Sequence, residues 1–201
     1  MKKRLLFWGG LFLLLFLAGC SVTTREVAPD EKVIYDEGYH FSDKKAIVDD
    51  MVHSLLSNHP LVRATGRPVL IVYGIANRTS EHISTSGISD DIRQTLVQSG
   101  RVRMINETQR KNIEAETSYQ YGGNVAAETR IQKAKQVGAS YMLTGTLRSI
   151  RKKEEPQFRL TKHTLQYYSL NMELTDIESG LIEWADSTEV IREASKPFIG
   201  W

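Results

Sequence analysis

The chain of 201 residues has a single cysteine, Cys20. No intrachain disulfide is open to it, even in an oxidising compartment, so stability has to come from a hydrophobic core. Glycine-rich phosphate loops are missing. Gly122-Gly123 has neither the strand before it, the helix after it, nor the spaced third glycine of a nucleotide-binding turn. There is no Gly-x-Ser-x-Gly elbow. His40, His53, His59, His82 and His163 show no metal-ligand spacing. No sign of charge dominates: 26 basic and 24 acidic residues give a net of +2. A nucleic-acid binder would carry a clustered basic excess. Apolar residues at 41% and charged residues at 25% exclude a disordered or collagen-like chain. The expectation is a protein that is not an enzyme, with no metal, no cofactor, no nucleic acid and no small-molecule substrate.

The long apolar run is at the N-terminus. Lys2-Lys3-Arg4 is a charged lead-in, and Leu5 to Leu17 follows as the apolar core of a secretory signal. At about 13 residues it is short for a bilayer-spanning helix, which needs about 20. Leu17-Ala18-Gly19-Cys20 comes next and resembles the bacterial lipobox. Small residues suit a peptidase cleft, with cleavage between Gly19 and Cys20, and the Cys20 thiol can take a diacylglyceryl group. Ser21 after the cysteine favours sorting to the outer membrane. Two or more acyl chains hold stably where one does not. Without residues 1–19 the chain carries 23 basic and 24 acidic side chains. The expected organisation is a signal peptide over 1–19, a lipidated N-terminus and tether over 20–41, and a globular domain over 42–201.

Beyond the tether, apolar spacing predicts the elements. Ile47, Val48, Met51, Val52, Leu55 and Leu56 recur at helical spacing, with Ser42 as the expected N-cap. Val69 to Tyr73 is a buried strand that Asn77-Arg78-Thr79 breaks into a loop. Ile88, Ile92, Leu96 and Val97 mark a helix with Gly100 at its C′ position and Asp90-Asp91 in its first turn. Arg101 to Asn106 reads as a strand and Glu107 to Glu116 as a polar helix. Tyr119 to Gly123 is a loop, and Ala126 to Val137 another helix. Tyr141 to Ile150, Thr164 to Thr175 and Leu181 to Val190 are strands, with Glu154-Glu155-Pro156 as a turn. Tyr168, Leu170, Met172 and Leu174 share the core face of the second of these. The expected fold class is α/β (α+β): a single mixed sheet of four or five strands flanked by helices, its C-terminal strands antiparallel.

Few residues invite a functional reading. Asp49-Asp50 and Asp90-Asp91 fit helix surface and capping better than acid–base work. Arg148 to Lys153 is a basic stretch that either protects an edge strand or meets an acidic surface or anionic lipid. Tyr119, Tyr121, Tyr167 and Tyr168 are candidate interface anchors, with Tyr168 better placed in the core, and Arg151 is a candidate contact in the basic stretch. At the end of the first strand, Asn77 and Thr79 suit a structural turn. Arg78 has five donors and no reason to be buried, so it suits a carboxylate on a partner.

Several segments together resemble a known family. They are Tyr35-Asp36, Met51-Val52, the strand ending Asn77-Arg78-Thr79, Ile92-Arg93-Gln94-Thr95-Leu96 with Gly100, and Val137 to Leu143. The run Leu170 to Leu174 and Ser179-Gly180-Leu181-Ile182-Glu183-Trp184 close the set. The chain is similar over about 35–190 to the LpoB-type penicillin-binding protein activators. The resemblance implies an outer-membrane lipoprotein, without catalytic residues, that faces the periplasm. It would bind a bifunctional penicillin-binding protein and stimulate peptidoglycan synthesis. The tether differs, because best-known members have a long Pro-rich one. Here Ser21 to Phe41 spans at most ~70 Å when fully extended. The alternative is an accessory or structural lipoprotein of an envelope secretion or assembly complex.

Overall fold

The computed structural model describes residues 24–28, 31–34, 36–132, 136–153 and 161–197, without the side chains of 161, 162, 196 and 197. Gly19, Cys20 and the turn at 154–156 lie outside the described residues. The chain divides into two compact units, Met1–Glu31 and Lys32–Trp201. In the first, the Arg25 guanidinium donates to both Glu31 carboxylate oxygens.

The second unit is one five-stranded sheet in the order β2-β1-β3-β4-β5. The strands are β1 (Val69–Arg78), β2 (Arg103–Met104), β3 (Tyr141–Lys153), β4 (Thr161–Asp176) and β5 (Ile182–Pro197). β1 runs parallel to both β2 and β3, while β3, β4 and β5 form an antiparallel meander. The mixed sheet expected from the sequence is therefore present. Helices α1 (Phe41–Ser57) and α2 (Ser86–Gln98) supply the apolar layer against it.

The core follows the two periodicities. Ile47, Val48, Met51, Val52 and Leu55 of α1 join Ile88, Ile92 and Leu96 of α2. They meet Leu70, Val72, Leu143, Leu147, Leu170, Met172, Leu174 and Trp184 from the strands. Burying each such side chain is worth about 1.5–3 kcal/mol. Val97, expected on the buried stripe, is exposed. β1 could not keep one face inward with unbroken alternation. A bulge between Val72 and Gly74, with Gly74 at φ +101°, turns Tyr73 out and returns Ile75 to the core. Beyond the bulge, Asn77 shares the helix side with Ile75, and Arg78 points to the opposite, open face.

Ser42 does not cap α1. The N-cap is His40, whose backbone N–H donates to Asp43 Oδ2 at 2.9 Å, and the Ser42 hydroxyl is buried without a partner among the described residues. The buried Asp43 carboxylate also receives both Arg192 Nε, at 3.1 Å, and Arg192 Nη2, tying the start of α1 to β5. Lys44 Nζ reaches Asp91 at 2.6 Å and joins α1 to α2. α2 starts at Ser86, so Asp90 and Asp91 lie past its first turn, where they make ion pairs with Arg93 and Lys44. Tyr39 packs edge-on against Tyr168, with ring centroids 5.3 Å apart, so folded structure begins before residue 42.

Other expectations need correction. The strand over 101–106 is only two residues long, because β2 pairs with β1 through Val69 and Leu70 alone. The polar helix is α3 (Arg110–Tyr119), which buries no residue. It continues into a π turn over Gln120–Asn124 that ends at Gly123, φ +90°. The helix expected over 126–137 is a single turn, Ala127–Thr129, and the chain is extended again at Arg130. Arg148 to Lys153 ends β3, which as a strand lies between β1 and β4, yet its last five residues form an open edge. Its pairing with β1 stops at Arg148, so only Ser149 to Lys153 have β4 as their sole neighbour.

Candidate functional site

The sequence-derived residues separate into three places. The first is the end of β1, which continues as strand through Asn77 and Arg78 where a loop was expected, together with the turn after it. Asn77 Nδ2 donates to the carbonyls of Glu81, at 2.9 Å, and Ile83, at 3.1 Å. Asn77 Oδ1 accepts from the Thr79 backbone N–H and hydroxyl. This is the self-bonding turn geometry that Asn and Thr favour. It aims Glu81 back at the sheet. Glu81 Oε1 accepts from Tyr168 Oη at 2.7 Å, Gln166 Nε2 at 3.3 Å and Arg151 Nη2 at 3.5 Å. Arg151 Nε also donates to Gln166 Oε1 at 2.7 Å. Burial, then the bond to Glu81, raises the Tyr168 phenol above its ordinary range. Arg151 is thus engaged on the helix side of the sheet, bracing the loop.

The second place is the open face. Arg78 and Arg148 are register partners on β1 and β3, and both line a cleft of about 720 Å³. Thr146, Tyr167, Asn171, Ser187 and Glu189 line it too. Both arginines are exposed, and neither has an ion pair or side-chain hydrogen bond among the described residues. Like charges directly opposite each other on neighbouring strands are destabilising. Tyr167 Oη donates to Glu189 Oε1 at 2.5 Å, and this bond raises the phenol's pKa.

The third place is the excursion between β2 and β3. Tyr119 is exposed there. Tyr121 Oη donates to the Ile131 carbonyl at 2.7 Å, with Arg130 over its ring at 5.9 Å. Both tyrosines follow β2, at the edge of the sheet, whereas Arg78 ends β1. Sequence patterning points to Arg78, to Tyr167 and to the basic stretch that begins at Arg148, but not to Glu81 or Glu189. Pairing register is the signal that joins them, and no short segment of sequence shows it.

Among the described residues, no three His, Cys, Asp or Glu side chains could hold a metal ion. No described helix is long and apolar enough to cross a membrane. The arrangement offers hydrogen bonds, charge and apolar contact to another molecule.

Comparison with known proteins adds the family. A search of curated protein sequences finds no match. Among solved structures, the chain is similar to the LpoB C-terminal domain from Escherichia coli, with 19% identity and a TM-score of 0.47. That match covers 74% of this chain and 98% of that one. An NMR structure of E. coli LpoB matches at 16% identity and a TM-score of 0.44, covering 89% of this chain and 85% of that one. Lipoprotein GNA1162 from Neisseria meningitidis matches at 16% identity and a TM-score of 0.39, covering 63% and 84%. The model of the family described as "Peptidoglycan-synthase activator LpoB" matches residues 43–190, and the chain belongs to that family.

Proposed function

We propose that this chain is an outer-membrane lipoprotein, anchored through Cys20, whose folded unit faces the periplasm. There it binds a bifunctional penicillin-binding protein and stimulates its synthesis of peptidoglycan. Membership of the activator family supports the role. The lipobox-like Leu17-Ala18-Gly19-Cys20 supports the location. The observation that carries a docking role for the open face is the Arg78–Arg148 pair. Two guanidiniums face each other across neighbouring strands, with no carboxylate paired to either among the described residues. A carboxylate on the synthase would supply the missing charge through bidentate bonds.

Arg78→Ala tests this. Removing a charged hydrogen bond buried at an interface costs about 2–5 kcal/mol of binding. An exposed residue that braces nothing costs within about 0.5 kcal/mol of stability, and here its loss also relieves repulsion. The expected result is weaker stimulation in a glycan-polymerisation assay, with a melting temperature equal to wild type or slightly higher. Full stimulation by the variant would place the contact elsewhere. A wild-type protein that stimulates no synthase would favour the envelope-complex alternative.

A further inference from the structure

The open face of the meander has an order that a single row of contacts hides. Register places Lys152, Leu165 and Glu193 side by side across β3, β4 and β5. The next row on the same face is Ile150, Tyr167 and Ile191, and the next is Arg148, Ser169 and Glu189. In both charged rows the cation stands on β3 and the anion on β5. The row between them is apolar and open: Ile150 is 57% exposed, Ile191 60%, and neighbouring Leu165 41%.

We propose that this face is a self-association surface, on which two copies pack sheet to sheet about a two-fold axis running along β4. A half-turn about that axis lays β5 of the second copy over β3 of the first. Arg148 then meets Glu189 of the second copy, and Lys152 meets its Glu193. Ile150 meets Ile191 of the second copy, while Tyr167 and Leu165 meet their own equivalents. Each unlike contact occurs twice, as an isologous interface requires. Aligned sheets pack about 10 Å apart with mean strand directions within about 30° of each other, and an axis along β4 keeps the strands aligned.

The charges select this occupant over others. An anionic lipid surface would satisfy Arg148 and Lys152 but repel Glu189 and Glu193. A partner of one sign would leave half the face opposed. A second copy matches both halves over the rows from Lys152 to Arg148, and the contact ends before Glu173 of β4 would face its own equivalent. Arg148 and Lys152 have no partner among the described residues. Glu189 is already oriented by Tyr167 Oη at 2.5 Å, and Glu193 by His163 Nδ1 at 3.1 Å. Three strands about 4.8 Å apart and four side-chain rows, from Lys152 to Thr146, would cover ~400 Å² per copy. That lies at the low end of specific interfaces, so the dimer is a weak, reversible one. The inference stands independently of the synthase reading. If both hold, the dimer covers Arg148, and self-association competes with docking.

Sedimentation of the full chain in mild detergent, from low to high micromolar, tests it. The expected result is a mass that rises toward two copies with concentration. Arg148→Glu alone and Glu189→Arg alone should each weaken association at least ~tenfold, because each places like charges opposite one another. Mixing the two variant proteins should restore it, since the heterodimer regains both unlike pairs. Lys152→Glu and Glu193→Lys provide a second set should either first variant fail to fold. A wild type that stays single at every concentration, single variants that associate like wild type, or a mixture without rescue would each overturn the proposal.

Discussion

Glu81 stands in a polar loop, yet its carboxylate takes a hydrogen bond from the fully buried Tyr168, 87 positions away. Its side chain is only 26% exposed, so removing it strands that phenol donor in the core. An orphaned buried donor costs about 1–3 kcal/mol. Glu81→Ala should therefore lower unfolding stability by ~2 kcal/mol, which is several degrees of melting temperature at this size. Glu81→Gln keeps an acceptor and should lose less. Tyr168→Phe removes donor and need together and should also lose less than Glu81→Ala. Urea titrations of the three variants would show the order, and equal losses would refute the account. Tyr168 as a core residue was legible in the alternation from Tyr168 to Leu174. Glu81 was not, because one acid among polar residues has no period and its partner is remote in sequence. The division of labour between Asn77 and Arg78 was legible in their chemistry, but the face each occupies depends on the bulge at Gly74.

Among the elements, the strands of the meander and helices α1 and α2 were readable because each buries one face and so repeats at 2 or 3.6 residues. The segment 126–137 misled because Ala126, Ala127, Ile131 and Val137 have helical spacing but no core to pack on: Ile131 and Val137 are exposed. β5 runs to Pro197, past the expected end at Val190, because β4 supplies a template for the whole length. Its polar second half carries no strand signal of its own. The β4–β5 turn makes a prediction about acid. Asp176 Oδ1 accepts from the Ser179 backbone N–H at 2.7 Å and its hydroxyl at 2.9 Å. The backbone bond first, and then the hydroxyl, hold the Asp176 pKa below its ordinary value. A folded-state pKa that is depressed adds stability above the unfolded pKa and loses it as pH falls through the folded one. The turn should loosen below about pH 4, where an ordinary Asp titrates. Asp176→Asn should flatten that part of the stability–pH curve. Hydrogen exchange at the Ser179 amide would register it, and an identical acid response in the variant would count against this role.

For the folded unit, the sheet order places the parallel strands at one side and the meander at the other, with α2 packed on β1 and β2, α1 on β5, and the two helices against each other. The mixed architecture was legible in the order of elements. The central position of β3 was not, since its basic end runs past β1 and is itself a local edge. On the proposed function, position in the envelope depends on Cys20. Cys20→Ala should leave a larger, unprocessed protein in the inner membrane, read by fractionation with mass spectrometry of the N-terminus. Wild-type protein soluble in the periplasm would rule out the anchor. The Asp43–Arg192 pair bears on that journey. Its two residues are 149 positions apart, and the Asp43 carboxylate is buried. A chain that emerges N-terminus first presents α1 long before β5. Until Arg192 arrives, seating α1 would bury an unpaired charge at a cost of about 3–5 kcal/mol. Topologies dominated by distant contacts also fold slowly. If the chain is exported as proposed, the ion pair that ties the finished domain together would also delay its closure during the crossing.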